Sequence, residues 1–117
     1  MTYSLGEDIF KKLTIVDENE AVVDISDVSW EIYVGLFLEN SDNYNDPAEL
    51  QLTVGSGVTK TNALVGEAEI HITDVQTQNW QPGTRYIWVK AKNPTGYEWD
   101  IIRGEAMVFE HSPMKDI

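Results

Sequence analysis

Apolar residues recur at every second position along most of this chain, and that spacing restricts its fold more than any other feature. Successive side chains of an extended strand point to opposite faces, so such alternation marks a strand with one face buried. Val28, Trp30, Ile32, Val34, Leu36 and Leu38 alternate with Ser29, Glu31, Tyr33, Gly35 and Phe37. A strand of that length would run ~36 Å at ~3.3 Å per residue, so a bend or bulge is expected near Gly35. Its row places Trp30 in the centre of the core. Ile9, Lys11, Leu13 and Ile15 form another row, as do Leu50, Leu52 and Val54, and then Ala68, Ile70 and Ile72. Tyr86 to Ala91 is apolar on both faces, the mark of a strand near the middle of a sheet. Tyr97 to Arg103 and Glu105 to Phe109 close the chain as one strand or a pair, kinked at Gly104.

Turn signals separate these rows. Asp17-Glu18-Asn19-Glu20 and Asn93-Pro94-Thr95-Gly96 are polar turns. Gly55-Ser56-Gly57 predicts a hairpin, with Val58 to Leu64 returning as an edge strand. Asp74 to Gly83 forms a corner plugged by Trp80, and Tyr86 is placed to fold over it as a tyrosine corner. The pattern predicts an all-β fold, an immunoglobulin-like antiparallel β-sandwich of about seven to eight strands, with a small barrel as the alternative. One domain is expected over residues 1–110, with a loose C-terminal tail at 111–117.

Charge narrows the partners. Twenty acidic residues face eight basic ones, a formal net charge of -12. Lys11-Lys12 and the trio Arg85, Lys90 and Lys92 are too sparse to attract a phosphate backbone, so nucleic acid is not an expected partner. Anionic membrane surfaces are disfavoured for the same reason, and no apolar run is long enough to span a bilayer. A basic protein partner is favoured. There is no cysteine, hence no disulfide and no thiol chemistry. Met1 to Phe10 lacks the basic start and apolar run of a secretory signal, which implies synthesis in the cytoplasm.

Four segments resemble a known series. Leu5-Gly6-Glu7-Asp8 followed by Leu13-Thr14-Ile15-Val16-Asp17 resembles the opening strand of small immunoglobulin-like modules in tailed-phage structural proteins. Val23-Asp24-Ile25-Ser26-Asp27-Val28 is similar to the step that follows there. Trp80-Gln81-Pro82-Gly83-Thr84-Arg85-Tyr86-Ile87-Trp88 resembles their Pro-Gly corner, and Ile101-Ile102-Arg103-Gly104-Glu105-Ala106-Met107-Val108 their closing strand. The N-terminal domain of phage baseplate upper proteins is the best-known example. The segment from Glu39 to Pro47 is longer and more polar than the turn usual in the family. The resemblance implies a virion structural subunit in the head, neck, tail or baseplate, made in the host cytoplasm. Such a subunit would bind other virion proteins or its own copies.

No residue set announces catalysis. Ser-His-Asp ordering, a Gly-x-Ser-x-Gly elbow and a phosphate-cradling glycine loop are all missing from the sequence, so no enzyme, catalytic residue, metal site or cofactor is expected. The acidic run Asp42 to Asp46, with Glu49, has calcium-type oxygens but not the spacing of a calcium-binding hand, and reads as a solvated turn. His71, beside Glu67, Glu69 and Thr73, reads as a surface histidine. The candidate interaction surface is aromatic: Tyr33, Phe37, Tyr44, Tyr97 and Trp99. Tyr33 and Phe37 on an outer face would mark a protein contact. Tyr97 and Trp99 flanking a groove would stack on sugar rings, the basis of an alternative function as a carbohydrate-binding or adhesion module with this fold.

Overall fold

A computed structural model describes residues 2–38 and 48–111. The alternating rows become eight strands: β1 (Thr2–Leu5), β2 (Ile9–Thr14), β3 (Glu31–Phe37), β4 (Leu50–Val54), β5 (Gly57–Asn62), β6 (Glu67–Ile72), β7 (Gly83–Lys92) and β8 (Glu98–His111). The fold is all-β, of the sandwich class. The eight strands form one hydrogen-bonded sheet in the order β1-β8-β7-β3-β4-β5-β6-β2, which gives the molecule a nearly barrel-like form. Among the described residues every strand pair is antiparallel except β1 with β8 and β4 with β5.

Curling the sheet brings the inward rows together. Ile32, Val34 and Leu36 of β3 meet Ile87, Val89 and Ala91 of β7, Ala68, Ile70 and Ile72 of β6, and Phe109 of β8 in one continuous core. Each fully buried side chain of this size contributes about 1.5–3 kcal/mol of hydrophobic stabilisation before chain entropy is counted.

The two ends of the strand order are consecutive in sequence. β1 runs parallel to the end of β8, Thr2 opposite Val108 and Leu5 opposite His111. After a step over Gly6-Glu7-Asp8 the chain pairs as β2 with β6 instead. The step is fixed by Gly6 N–H donating to the buried Thr77 hydroxyl at 2.9 Å. Lys11 Nζ then reaches Glu105 Oε1 at 3.2 Å, tying β2 back to β8 across the seam.

Several expectations change. The long third row is a strand only from Glu31 to Phe37: Val28 is 94% exposed, and the Asp27 carboxylate accepts from Ser29 N–H in a turn that precedes the strand. No bulge occurs at Gly35, whose pairings to β4 and β7 are regular. Its missing side chain instead makes room for the Phe37 ring, which a Cβ would meet at 2.8 Å. The Gly55-Ser56-Gly57 turn is not a hairpin. Thr53 pairs with Gly57 and Val54 with Val58 in parallel sense, so the chain coils forward from β4 into β5 of the same sheet. Gly57 permits this, with φ +97° and the Leu52 side chain packed where a Cβ would sit. Residues 98–111 form one strand, in which Ile101 and Gly104 are extra residues bulged out of the ladder with β7. His111, assigned to the tail from sequence, is the last residue of β8, and 112–117 lie outside the described residues.

At the corner a short helix α1 (Asp74–Thr77) begins with a capping box: the Thr73 side chain accepts from Gln76 N–H, and the Gln76 side chain accepts from Thr73 N–H. Trp80 plugs the corner as expected, edge-on to Phe109 with centroids 5.3 Å apart. Among the described residues the Tyr86 hydroxyl makes no hydrogen bond of the kind a tyrosine corner requires, and the residue packed under Trp80 is Arg85. Arg85 is 3% exposed; its Nε donates to Glu49 Oε1 at 2.9 Å and a terminal nitrogen donates to the Gln81 carbonyl at 2.7 Å. Its guanidinium lies 4.7 Å from the Trp80 ring centre. A buried cation with a carboxylate, a carbonyl and an aromatic face is fully compensated, which is the condition for tolerating it.

Candidate functional site: an aromatic groove and an outer face

Two separate surfaces collect the aromatics. The first is a groove at one end of the molecule. Register explains it: Glu31 of β3 pairs with Lys92 of β7, and Lys92 pairs with Glu98 of β8. Trp30, just before β3, and Trp99 and Tyr97 at the start of β8 therefore continue the inward rows past the end of the core. Trp30 is not central core but a half-buried wall of this groove, a place its position in an alternating row did not reveal. Trp30 and Trp99 meet at 83° with centroids 5.7 Å apart, and Tyr97 lies 5.6 Å from Trp99.

The other wall is the Asp17 to Glu20 turn. Asp17 organises it, one carboxylate oxygen accepting from Asn19 N–H at 2.8 Å and Ala21 N–H at 3.0 Å. Trp99 Nε1–H donates to the Val16 carbonyl at 2.7 Å, and the Tyr97 hydroxyl donates to Glu18 Oε1. That bond holds the Tyr97 phenol above its ordinary pKa, helped by the Glu18 charge and by burial. Asn93 shapes the facing turn, its side-chain oxygen accepting from Thr95 N–H, the Thr95 hydroxyl and Tyr97 N–H. The groove is open to solvent and offers about 370 Å³, lined by Asp17, Glu18, Asn19, Val23, Asn93 and the three aromatics. That is at the lower end of the range for small-ligand clefts.

The second surface is the outer face of β3 and β7. Phe37 pairs with Tyr86, Gly35 with Trp88, and Tyr33 with Lys90. Tyr33 is exposed, while Phe37, Tyr86 and Trp88 are half-buried, so a band of aromatic rings lies across the sheet. Tyr33 donates its hydroxyl to Glu31 Oε2 at 2.7 Å, which raises its phenol pKa, and Lys92 Nζ lies 3.6 Å from the same carboxylate oxygen.

The candidates named from sequence thus divide. Tyr33 and Phe37 share the outer face, Tyr97 and Trp99 share the groove, and Tyr44 lies outside the described residues, as does the acidic run Asp42 to Asp46. Glu49, grouped with that run, is committed to Arg85. His71 lies on the outer face of β6 with its Nε2 3.0 Å from Asp8 Oδ1 and the exposed Phe10 ring stacked on it at 4.3 Å. Among the described residues no three His, Asp or Glu side chains converge as metal ligands would. No family model matches the chain, and no curated protein matches it.

Proposed function

We propose that this chain is a non-enzymatic structural subunit of a tailed-phage virion that acts through protein–protein contacts. The observation that carries the reading is the outer face of β3 and β7, where Tyr33, Phe37, Tyr86 and Trp88 stand in adjoining positions. Aromatic residues gathered on a sheet surface are characteristic of protein interfaces rather than of free surface. The resemblance to phage modules supplies the setting: its Pro-Gly corner segment leads directly into the strand that bears Tyr86 and Trp88. The net charge of -12 favours a partner with basic character.

Sedimentation of the purified chain across a hundredfold concentration range, with capture of virion proteins from infected cells, tests the proposal. Concentration-dependent assembly or capture of a virion protein is expected. The exposed substitution Tyr33→Glu should weaken it at least ~tenfold, because a charge would be desolvated at the interface. A chain that stays monomeric throughout and captures no virion component overturns the reading.

A further inference from the structure

We propose that the end groove is a receptor for a cationic side chain, an arginine or lysine presented by a basic segment of a partner protein. This rests on the chain being a protein-binding subunit, but it concerns a different surface from the outer face of β3 and β7.

The polar groups of the groove decide between the occupants an aromatic cleft can hold. A sugar needs aromatic faces together with free hydrogen-bond donors and acceptors. Here two of the three ring donors are spent internally: the Tyr97 hydroxyl on Glu18, and the Trp99 indole N–H on the Val16 carbonyl. The Asn93 side-chain oxygen already takes three donors, and Asp17 Oδ1 takes two. Beside the Trp30 indole N–H and the side-chain amides of Asn19 and Asn93, the groove offers a guest the negative charge of Asp17 and Glu18 and the aromatic rings of Trp30, Tyr97 and Trp99, and the two carboxylates give it a net charge that a cation answers and a neutral sugar does not. Among the described residues no lysine or arginine lines the groove to neutralise that charge. The nearest cation along the strands, Lys92, is turned to Glu31 on the opposite face.

A cation satisfies both features at once. Ring quadrupoles attract an ammonium or guanidinium within ~6 Å of the ring centre, and a carboxylate alongside adds a direct ion pair. Trp30 and Trp99 meet edge to face at 83°, and both line the groove beside Glu18. Glu18 is held at the mouth by Tyr97, so its carboxylate is placed before the guest arrives.

The test is a titration of the isotope-labelled full chain with the capped tripeptide Gly-Arg-Gly, its lysine counterpart, and a citrulline counterpart that keeps the shape without the charge. The indole signals of Trp30 and Trp99 report. The arginine and lysine peptides should shift both signals, and citrulline should bind at least ~tenfold more weakly. Raising salt from about 50 mM to about 500 mM should weaken binding several-fold. Glu18→Gln, on an exposed turn, should cost ~tenfold, whereas Tyr97→Phe, which keeps the ring and the Glu18 charge but frees that carboxylate, should cost less than Glu18→Gln. Equal binding of the citrulline peptide, salt-independent binding, or no shift at millimolar arginine peptide overturns the proposal. So does a neutral oligosaccharide panel that moves these signals where the cationic peptides do not. Tyr33→Glu should leave this titration unchanged, so loss of assembly and loss of the groove's guest are read separately.

Discussion

Asp8 shows how much one exposed side chain can carry at a junction. One of its oxygens faces His71 Nε2 at 3.0 Å and accepts from Asp74 N–H at 3.2 Å, linking the step before β2 to the start of α1. The His71 hydrogen bond, and next the Asp74 N–H, hold its carboxyl below the ordinary value of 3.8. A carboxyl lowered on folding binds fewer protons in the folded chain. Its stabilisation is therefore complete above the unfolded pKa and disappears as pH falls through the folded one. Urea midpoints measured from pH 6 down to pH 2.5 should fall less steeply for Asp8→Asn than for the parent chain; parallel curves would contradict this account. The sequence showed His71 as a surface residue, which it is, but not its partner, because Asp8 lies on another strand's approach. Arg85 is the harder case. It stood among scattered basic residues, and only the packing of Trp80 and Phe109 over it marks it as the corner's buried cation.

Elements were more legible than their ends. Ile32, Val34 and Leu36 form the core row of β3 as their spacing predicts, yet Val28 and Trp30 share the same parity and lie outside the strand. Parity continues through a turn, whereas strand hydrogen bonding does not, so alternation overstates strand length. The capping-box residues Thr73 and Gln76 were in plain view before a helix of four residues, too short for any periodicity to reveal. Gly66 governs a junction of this kind. It ends the 3₁₀ turn at Ala63–Val65 with φ +72°, and a Cβ there would lie 2.7 Å from the carbonyl oxygens of both Ile15 and Val23. Gly66→Ala must adopt a left-handed conformation costing about 1–2 kcal/mol and also displace backbone. Chemical denaturation should show a loss of about 3 kcal/mol or more, with the larger share from the displaced backbone. Gly96→Ala, at φ +93° in open space, should cost only the conformational part.

At the scale of the molecule, alternation and turn spacing gave the all-β class, but neither identifies which strands are neighbours. The groove depends on that missing information: Trp30 and residues 93–99 are far apart in sequence and meet because β3, β7 and β8 are paired in register, and the bonds of Trp99 to Val16 and of Tyr97 to Glu18 add the turn at residues 17–19. Tyr97 and Trp99 were recognisable as candidates, while Trp30 and Glu18 were not, since a row position and a turn residue look alike whether or not a cleft lies between them. Such distant pairings also set the folding rate. All-β chains dominated by long-range contacts fold in ~milliseconds to seconds, so stopped-flow tryptophan fluorescence should show relaxation on that scale, and microsecond folding would be inconsistent with this topology.

The pairing of β1 with β8 bears on biosynthesis. A growing polypeptide carries its opening strand without a mate until the residues around Val108 leave the ribosome. The domain can therefore close only once β8 has emerged, and until β1 docks the free edge of β8 can accept the same strand from a neighbouring copy.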